Sequence, residues 1–226
     1  MVRLYTPDFL AENEQRTLSP DQSHYLTTVL RLKVGGSFSL FNEQGEWEAT
    51  IQEISKKQTI AQLGKQLRQK EILPEVWLAF ALLKHDAMGF LLEKATELGV
   101  THLQPLITDR TNTHRFHAQR AQQQVIDASQ QCERLCIPTI HPVLSFQDFL
   151  NTLSKDVRWF CALERENTPL FSHFDGPVGF LVGPEGGWSM NERNLLNTKK
   201  GITSVTLGPR ILRAETAALC LLARQI

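Results

Sequence analysis

Two stretches late in the chain combine glycine, proline and an acidic residue in a way that could build a ligand site. They are Leu181-Val-Gly-Pro-Glu-Gly-Gly-Trp-Ser189 and Leu207-Gly-Pro-Arg-Ile-Leu-Arg-Ala-Glu-Thr-Ala-Ala-Leu219. Each stretch predicts an apolar strand that stops in Gly-Pro and a helix that follows. Open α/β sheets bind ligands at such turns, at the carboxyl ends of their strands. One such turn could be a plain connection, but two of them, each with an acidic residue, favour a ligand site.

The first stretch also carries the residues that shape a tight turn and begin a helix. Gly183, Gly186 and Gly187 lack a Cβ, so we expect positive φ angles and close approach of a ligand to the backbone. Ser189 and Glu192 form a capping box, which predicts a helix that begins near Met190. Neither stretch matches the loops that hold nucleoside triphosphates or NAD, so the predicted ligand belongs to another class.

The two stretches resemble the cofactor-loop motifs of the SPOUT methyltransferases, specifically of the RsmE family of 16S ribosomal RNA uridine-N3 methyltransferases. Further matches are Lys94-Ala-Thr-Glu-Leu-Gly-Val100, Pro105-Leu-Ile-Thr-Asp-Arg110, and His24 with Val29-Leu-Arg31. The resemblance runs over nearly the whole chain, and the two late motifs are its most specific part. It implies S-adenosylmethionine as cofactor, 16S ribosomal RNA or the small ribosomal subunit as partner, and a homodimer.

The resemblance also implies which residues hold the cofactor. Backbone groups of the two turns would read the adenine edge, and apolar side chains such as Leu207, Ile211 and Leu212 would cover its faces. The cofactor-binding residues implied in this way are Leu163, Val182, Gly183, Pro184, Glu185, Gly186, Leu207, Gly208, Ile211, Leu212, Thr216 and Ala217.

Methylation of uridine at N3 requires that this nitrogen lose its proton. A site can stabilise the negative charge on the uracil oxygens, supply a base, or both. Arg213 is the first candidate for the charge-stabilising role, and a salt bridge to Glu215, Glu185 or another carboxylate is the alternative for this side chain. Glu185 could be the base if it is partly buried, because desolvation raises the pKa of a carboxylate. It could equally accept hydrogen bonds from the cofactor or the loop.

Hydrophobic periodicity predicts two domains with different secondary structure. Strands over Val34 to Phe41, Trp47 to Ile54 and Thr59 to Leu67, with a helix over 21–32, indicate a small β-barrel. From Val76 onward, apolar runs alternate with helical patterns, which is typical of a mostly parallel sheet. We place the domains at 1–70 and 71–226. The resemblance implies a PUA-like RNA-binding barrel followed by a SPOUT domain with a deep trefoil knot.

Charge gives little support to a general nucleic-acid surface. The formal net charge is zero, and neither domain is basic, so RNA binding must use local patches. The most basic loop is 110–120, where Arg110 and Arg115 accompany Phe116, which could stack on a base. A solvated helix start is the competing interpretation. His24 and Arg31 are carried over from the resemblance as RNA contacts, although His24 could only cap or pack its helix.

The four cysteines include no Cys-x-x-Cys motif, and no histidine or cysteine pair completes a metal site. Free thiols in a reducing compartment are the preferred interpretation, with Cys132 and Cys136 spaced as neighbours on a helix face. The first residues lack the apolar segment of a signal peptide, and no apolar run could span a membrane. We therefore expect a cytoplasmic protein that needs no metal for methyl transfer.

Some positions depart from the family pattern, and other functions stay open. The run Gln130-Gln-Cys-Glu-Arg134 lacks a carboxylate that the family pattern places there, so the role of this helix and any dimer contact it makes stay open. At a separate position, Trp188 stands where the family usually has Phe. The apolar positions Ala217, Ala218, Leu221 and Leu222 could form core or a dimer contact. The alternatives are a 2′-O-ribose methyltransferase of another RNA and a non-catalytic RNA-binding module. A hydrolase using Ser189 or a cysteine lacks a nucleophile elbow.

Overall fold

The computed structural model describes residues 1–55, 58–163 and 168–226. These residues form two compact units. The amino-terminal unit contains residues 1–72 together with 129–137, and the carboxyl-terminal unit contains 73–128 and 138–226.

The amino-terminal unit is built on a five-stranded sheet. Its strands lie in the order β1-β3-β4-β5-β2, and only the pair of β1 and β3 is parallel. The apolar core contains Leu26 and alternate residues of the strands, among them Ala49, Ile51, Ala61 and Leu63. The elements are β1 (Arg3–Tyr5), β2 (Gln15–Thr17), α1 (Pro20–His24), β3 (Ser37–Asn42), β4 (Gly45–Ile54) and β5 (Thr59–Gln69).

The three long strands of this unit confirm the prediction, whereas the helix does not extend as expected. The helix predicted over 21–32 is a short α1 followed by a π-helical turn, Tyr25–Val29, and Arg31 adopts a left-handed φ of 57°. The run of β-branched residues at 27–29 disfavours a regular helix, and the Thr27 hydroxyl donates to the Ser23 carbonyl. Strands β1 and β2 escaped prediction because three residues are too few to show an alternation.

Hydrogen bonds show what Gln130 and Glu133, two residues that depart from the family pattern, contact in the segment 129–137. The backbone N–H of Tyr5 donates to the Gln130 side chain at 2.9 Å, and an Arg3 Nη atom donates to the Gln130 carbonyl at 3.1 Å. Arg68 donates to the carbonyl of Glu133, a residue with a left-handed φ of 62°. Gln130 and Glu133 therefore tie this segment to strands β1 and β5. The prediction that Cys132 and Cys136 share a helix face is wrong, because the helix ends at Gln131.

A buried ion pair lies in the same unit. Arg3 Nε is 2.9 Å from Glu46 Oε1, and both side chains are almost fully buried. Burial alone would raise the pKa of Glu46, but hydrogen bonds from Arg3 and Ser39 and the charges of Arg3 and Arg68 hold it below its usual value. A carboxylate held in this way stabilises the folded state above its unfolded pKa, and the contribution is lost as the pH falls through the folded pKa.

The carboxyl-terminal unit confirms the predicted α/β class with a mostly parallel sheet. Its main strand order is β12-β10-β11-β6-β7-β8, β9 pairs with β7, and every pair is parallel. The central strands β6 and β11 are almost fully buried, as continuous apolar runs predict. The elements are β6 (Val76–Ala81), α2 (His85–Glu97), β7 (His102–Ile107), α3 (Ala118–Gln131), β8 (Thr139–Ile140), β9 (Leu144–Ser145), α4 (Phe146–Thr152), β10 (Arg158–Ala162), β11 (Val178–Val182), α5 (Met190–Thr198), β12 (Ile202–Val205) and α6 (Ala214–Ala223).

Helix ends in this unit follow the sequence signals. Ser189 and Glu192 make both reciprocal bonds of the capping box, and α5 begins at Met190 as predicted. Gly99 follows α2 with a φ of 84°, which confirms its predicted position at the helix end. Ala218, Leu221 and Leu222 are fully buried, so these positions of α6 belong to the core. The trefoil knot stays a prediction of the resemblance.

Candidate active site

Both predicted turns lie at the carboxyl edge of the parallel sheet. The first glycine loop, 183–189, follows β11, and the second glycine loop, 206–213, follows β12. A cavity of about 800 Å³, here called the large cavity, opens between these loops and the start of α2. It is lined by Lys84, His85, Asp86, Ala87, Phe90, Pro184, Glu185, Gly187, Ile211, Leu212, Arg213, Ala214 and Glu215.

A second, much smaller cavity of about 50 Å³ adjoins the second glycine loop. It is lined by Ala162, Leu163, Thr206, Leu207, Gly208, Arg210, Leu212 and Ala217. Leu212 lines both cavities, so this residue lies between them. The structure thus divides most of the predicted cofactor residues between two adjoining spaces. Four of them, Val182, Gly183, Gly186 and Thr216, line neither.

The glycines of the first loop pack closely against other residues of the protein. A Cβ on Gly183 would lie 2.9 Å from the Trp188 ring, and one on Gly186 would lie 3.3 Å from Arg110 Cβ. Gly187 adopts a positive φ of 69°, whereas Gly183 and Gly186 do not. On the side where a Cβ would stand, the close neighbours of Gly183 and Gly186 are protein atoms, and their contact with a ligand stays a prediction.

Hydrogen bonds tie the first glycine loop to the segment that follows β7. The buried carboxylate of Glu192 accepts from the backbone N–H of Asp109 at 2.9 Å and of Ser189 at 2.8 Å. The Ser189 hydroxyl donates to Asp109 Oδ2 at 2.5 Å, and Arg110 Nη1 donates to the Gly186 carbonyl at 2.9 Å. We call these five residues and their four hydrogen bonds the brace. It holds the first loop in one conformation before any ligand binds.

The two predicted catalytic residues both line the large cavity. Arg213 is exposed at the residue before α6, and no carboxylate within the described ranges forms a salt bridge with it. Arg213 therefore forms no salt bridge with Glu185 or Glu215 in this structure. Glu185 is also exposed, so it lacks the partial burial that its predicted role as base assumed.

Sequence reasoning missed one wall of the large cavity. Lys84, His85 and Asp86 lie where α2 begins, directly after the buried strand β6 and its neighbouring apolar residues. His85 Nδ1 is 3.1 Å from Asp86 Oδ1. The signal was present, because a charged cluster after a buried parallel strand lies at the same sheet edge as the two glycine loops. Phe90, one turn further along α2, adds an exposed aromatic ring to this wall.

Two of the predicted RNA-binding residues belong to the amino-terminal unit and two to the carboxyl-terminal unit. His24 and Arg31 are exposed in the amino-terminal unit, and their contact with RNA stays a prediction. In the carboxyl-terminal unit, Arg115 lines a further cavity together with Phe116, whereas Arg110 belongs to the brace.

No helix within residues 1–55, 58–163 and 168–226 is long and apolar enough to cross a membrane. Those same residues hold no group of three or more His, Cys, Asp or Glu side chains that could bind a metal. All four cysteines are free thiols, and Cys161 is the buried one.

Comparison with known families matches both parts of the chain. Residues 69–225 match the family model of an RNA methyltransferase domain, and residues 18–63 match that of an RNA methyltransferase PUA domain. The first match covers more than half of the chain.

Individual relatives give the same result over nearly the full length. The chain is 36% identical to ribosomal RNA small subunit methyltransferase E of Rickettsia conorii, covering 98% of this chain and 93% of that protein. It is 34% identical to the Synechocystis protein of the same name, covering 92% and 71%. A crystal structure of the Neisseria gonorrhoeae enzyme bound to S-adenosylmethionine superposes with a TM-score of 0.88 at 30% identity, covering 99% and 95%. The chain belongs to the ribosomal RNA small subunit methyltransferase E family.

Proposed function

We propose that this protein transfers a methyl group from S-adenosylmethionine to N3 of a uridine in the 16S RNA of the small ribosomal subunit. The observation that carries the proposal is the large cavity, which two glycine loops and the start of α2 line together with the exposed Arg213. Family membership supports the cofactor and the RNA class, since the related enzyme from Neisseria gonorrhoeae was crystallised with S-adenosylmethionine.

The residues present fit this cofactor. Leu163, Leu207 and Leu212 offer apolar surface for an adenine ring around the small cavity, and Gly208 presents backbone at a φ of 120°. Glu185 and Glu215 place carboxylates around the large cavity, where they complement the positive amino and sulfonium groups. When bound, S-adenosylmethionine supplies the methyl group. The small cavity, at about 50 Å³, lies below the ~300 Å³ at which ligand pockets begin, so the second loop must move to admit the adenosine.

Arg213 stabilises the deprotonated uridine. Removal of the N3 proton leaves negative charge on the two uracil carbonyl oxygens, and a guanidinium can hydrogen-bond to that charge. The Arg213 guanidinium is free for this task because it makes no salt bridge within the described part of the chain. Glu185 is an exposed carboxylate that lines the same cavity and is the candidate acceptor of the proton.

RNA contacts extend beyond the target base. Residues 1–70 act as the PUA-like RNA-binding domain, with exposed His24 and Arg31 as contacts, and 71–226 act as the methyltransferase domain. Arg115 contributes from the loop before α3, and Arg110 contributes through the loop it braces. A homodimer is part of this proposal, and light scattering after size-exclusion chromatography would show twice the chain mass.

The test is transfer of tritiated methyl to small subunits from cells that lack this protein, followed by nucleoside digestion. We expect radioactivity in 3-methyluridine, and Arg213→Ala should lower kcat more than tenfold, by analogy with removal of an oxyanion-hole donor, which costs about 10²- to 10³-fold. Lys200→Ala, an exposed cation outside the site, serves as control. Near-normal turnover by a folded Arg213→Ala would remove this residue from the mechanism, and label in ribose would indicate a 2′-O-methyltransferase.

A further inference from the structure

A cavity of about 160 Å³ lies between the start of α2 and the loop before α3, and the proposed reaction does not use it. Its floor is apolar, with Leu83, Leu92 and Ala121 buried. His85 lines both this cavity and the large cavity, so the two are direct neighbours. We call it the side cavity.

The rim of the side cavity is cationic and aromatic. Arg115, His117 and Arg120 are exposed there, and Phe116 is half-buried. Within the described ranges, neither arginine forms a salt bridge, in contrast to Arg3 and Arg68 of the amino-terminal unit. Unpaired arginines beside an apolar space suit an anionic ligand that also carries an apolar part.

Phe116 and Gln124 supply the groups that recognise a flat polar ring. No other aromatic ring of the described residues contacts Phe116, unlike Phe146, which packs on Trp188 with centroids 5.1 Å apart. Gln124 lines the cavity, and its amide nitrogen lies beside Gly89, 2.9 Å from where a Cβ on that glycine would stand. An amide carries both donors and an acceptor, as the edge of a nucleobase does.

From this geometry we infer that the side cavity binds the base of the nucleotide next to the target uridine. The base stacks on Phe116, its edge meets the Gln124 amide, and Arg115 and Arg120 contact the adjacent phosphates. Single-stranded RNA is recognised in this way, by bases stacked on aromatic side chains and a cationic groove along the backbone. The inference rests on the proposed function, because the neighbouring large cavity must receive the target.

The first test separates base binding from folding and chemistry. Phe116→Ala should raise KM for small subunits about 5- to 100-fold, the effect of losing one base–aromatic stack, while kcat and the Kd for S-adenosylmethionine stay unchanged. Phe116→Tyr should restore KM because it keeps the aromatic face. Lys155→Ala, which removes an exposed cation elsewhere on this unit, is the matched control. An unchanged KM in Phe116→Ala, or a Tyr variant as defective as the Ala variant, would overturn the inference.

The second test removes the base instead of the side chain. Short uridine-rich RNAs with an abasic ribose on either side of one central uridine are compared with the intact RNA in fluorescence anisotropy. We expect one of the two abasic RNAs to bind the wild-type protein more weakly and to bind Phe116→Ala no differently from intact RNA. If the wild-type protein bound all three RNAs equally and still methylated small subunits, the inference about the side cavity would be refuted. Absence of methyl transfer by the wild type would refute the proposed function itself.

Discussion

The two glycine loops begin alike in sequence but differ in how they are held. The first loop is tied by the brace, and its backbone passes against the ring of Trp188, a core residue. In the second loop, the Thr206 backbone donates to the Pro169 carbonyl and accepts from the Phe171 N–H. Residues 207–212 bond to other described residues only between the Gly208 backbone and the Thr206 hydroxyl. Ile211 is 60% exposed.

This difference indicates a division of labour. A loop that is fixed before binding loses little conformational entropy when a ligand arrives, so the first loop provides a preformed wall. A loop with few internal bonds can change conformation at low cost, so the second loop can open the small cavity and then cover the cofactor. The predictions below break the brace or perturb the second loop, in order of decreasing expected effect.

Gly183→Val should produce the largest effect. The Cβ of the new side chain would lie 2.9 Å from the Trp188 ring, so the first loop must shift. We expect loss of cofactor binding in titration calorimetry and a lower unfolding temperature. The matched variant of the second loop is Gly208→Ala, which meets no atom within 4 Å and costs about 1–3 kcal/mol through its positive φ alone. Normal binding by Gly183→Val would contradict the preformed wall.

Glu192→Ala should destabilise the fold next most strongly. Its carboxylate accepts from the backbone N–H groups of Asp109 and Ser189 in a buried position, and each donor left without a partner costs about 1–3 kcal/mol. We expect the free energy of unfolding, measured in urea, to fall by about 2–4 kcal/mol. Glu215→Ala at the start of α6 is the control and should cost less than ~1 kcal/mol. Equal losses in the two variants would show that Glu192 acts only as an ordinary helix-start carboxylate.

Arg110→Ala should weaken cofactor binding without unfolding the protein. It removes one charged hydrogen bond to the Gly186 carbonyl, which we expect to raise the Kd for S-adenosylmethionine about 5- to 20-fold in the absence of RNA. Arg110→Lys, which keeps a donor, should recover part of the affinity. Arg115→Ala should leave this Kd unchanged, since Arg115 lies outside the brace. If Arg110→Ala changed only RNA affinity, Arg110 would be an RNA contact and the brace would lose its function.

Ile211→Ala should have the smallest effect on stability. The side chain is already 60% exposed, so its loss should change the unfolding free energy by less than ~0.5 kcal/mol. Cofactor affinity should nevertheless fall a few-fold, because the closed second loop would bury this side chain against the ligand. A measurable loss of stability with unchanged affinity would show that Ile211 serves the fold and not the site.

Local signals in the sequence predicted much of the fold. The capping box at Ser189, the helix end at Gly99 and the continuous apolar strands were read correctly, because each depends on neighbouring residues. The close contacts at Gly183 and Gly186 could not be predicted, since they depend on how the Trp188 ring and the Arg110 side chain pack in the folded chain. The same holds for Gln130, whose partner Tyr5 lies 125 positions away. The knot and the homodimer depend on the resemblance.

Hydrogen exchange, measured with and without S-adenosylmethionine, tests the central claim most directly. In the free protein, the amides of Gly187 and Ser189 should already be protected, since they donate to the Pro184 carbonyl and to Glu192. Amides of residues 207–213 should exchange rapidly and become protected only when the cofactor is added. Equal exchange in the two loops of the free protein, or no added protection of 207–213 at saturating cofactor, would contradict the account.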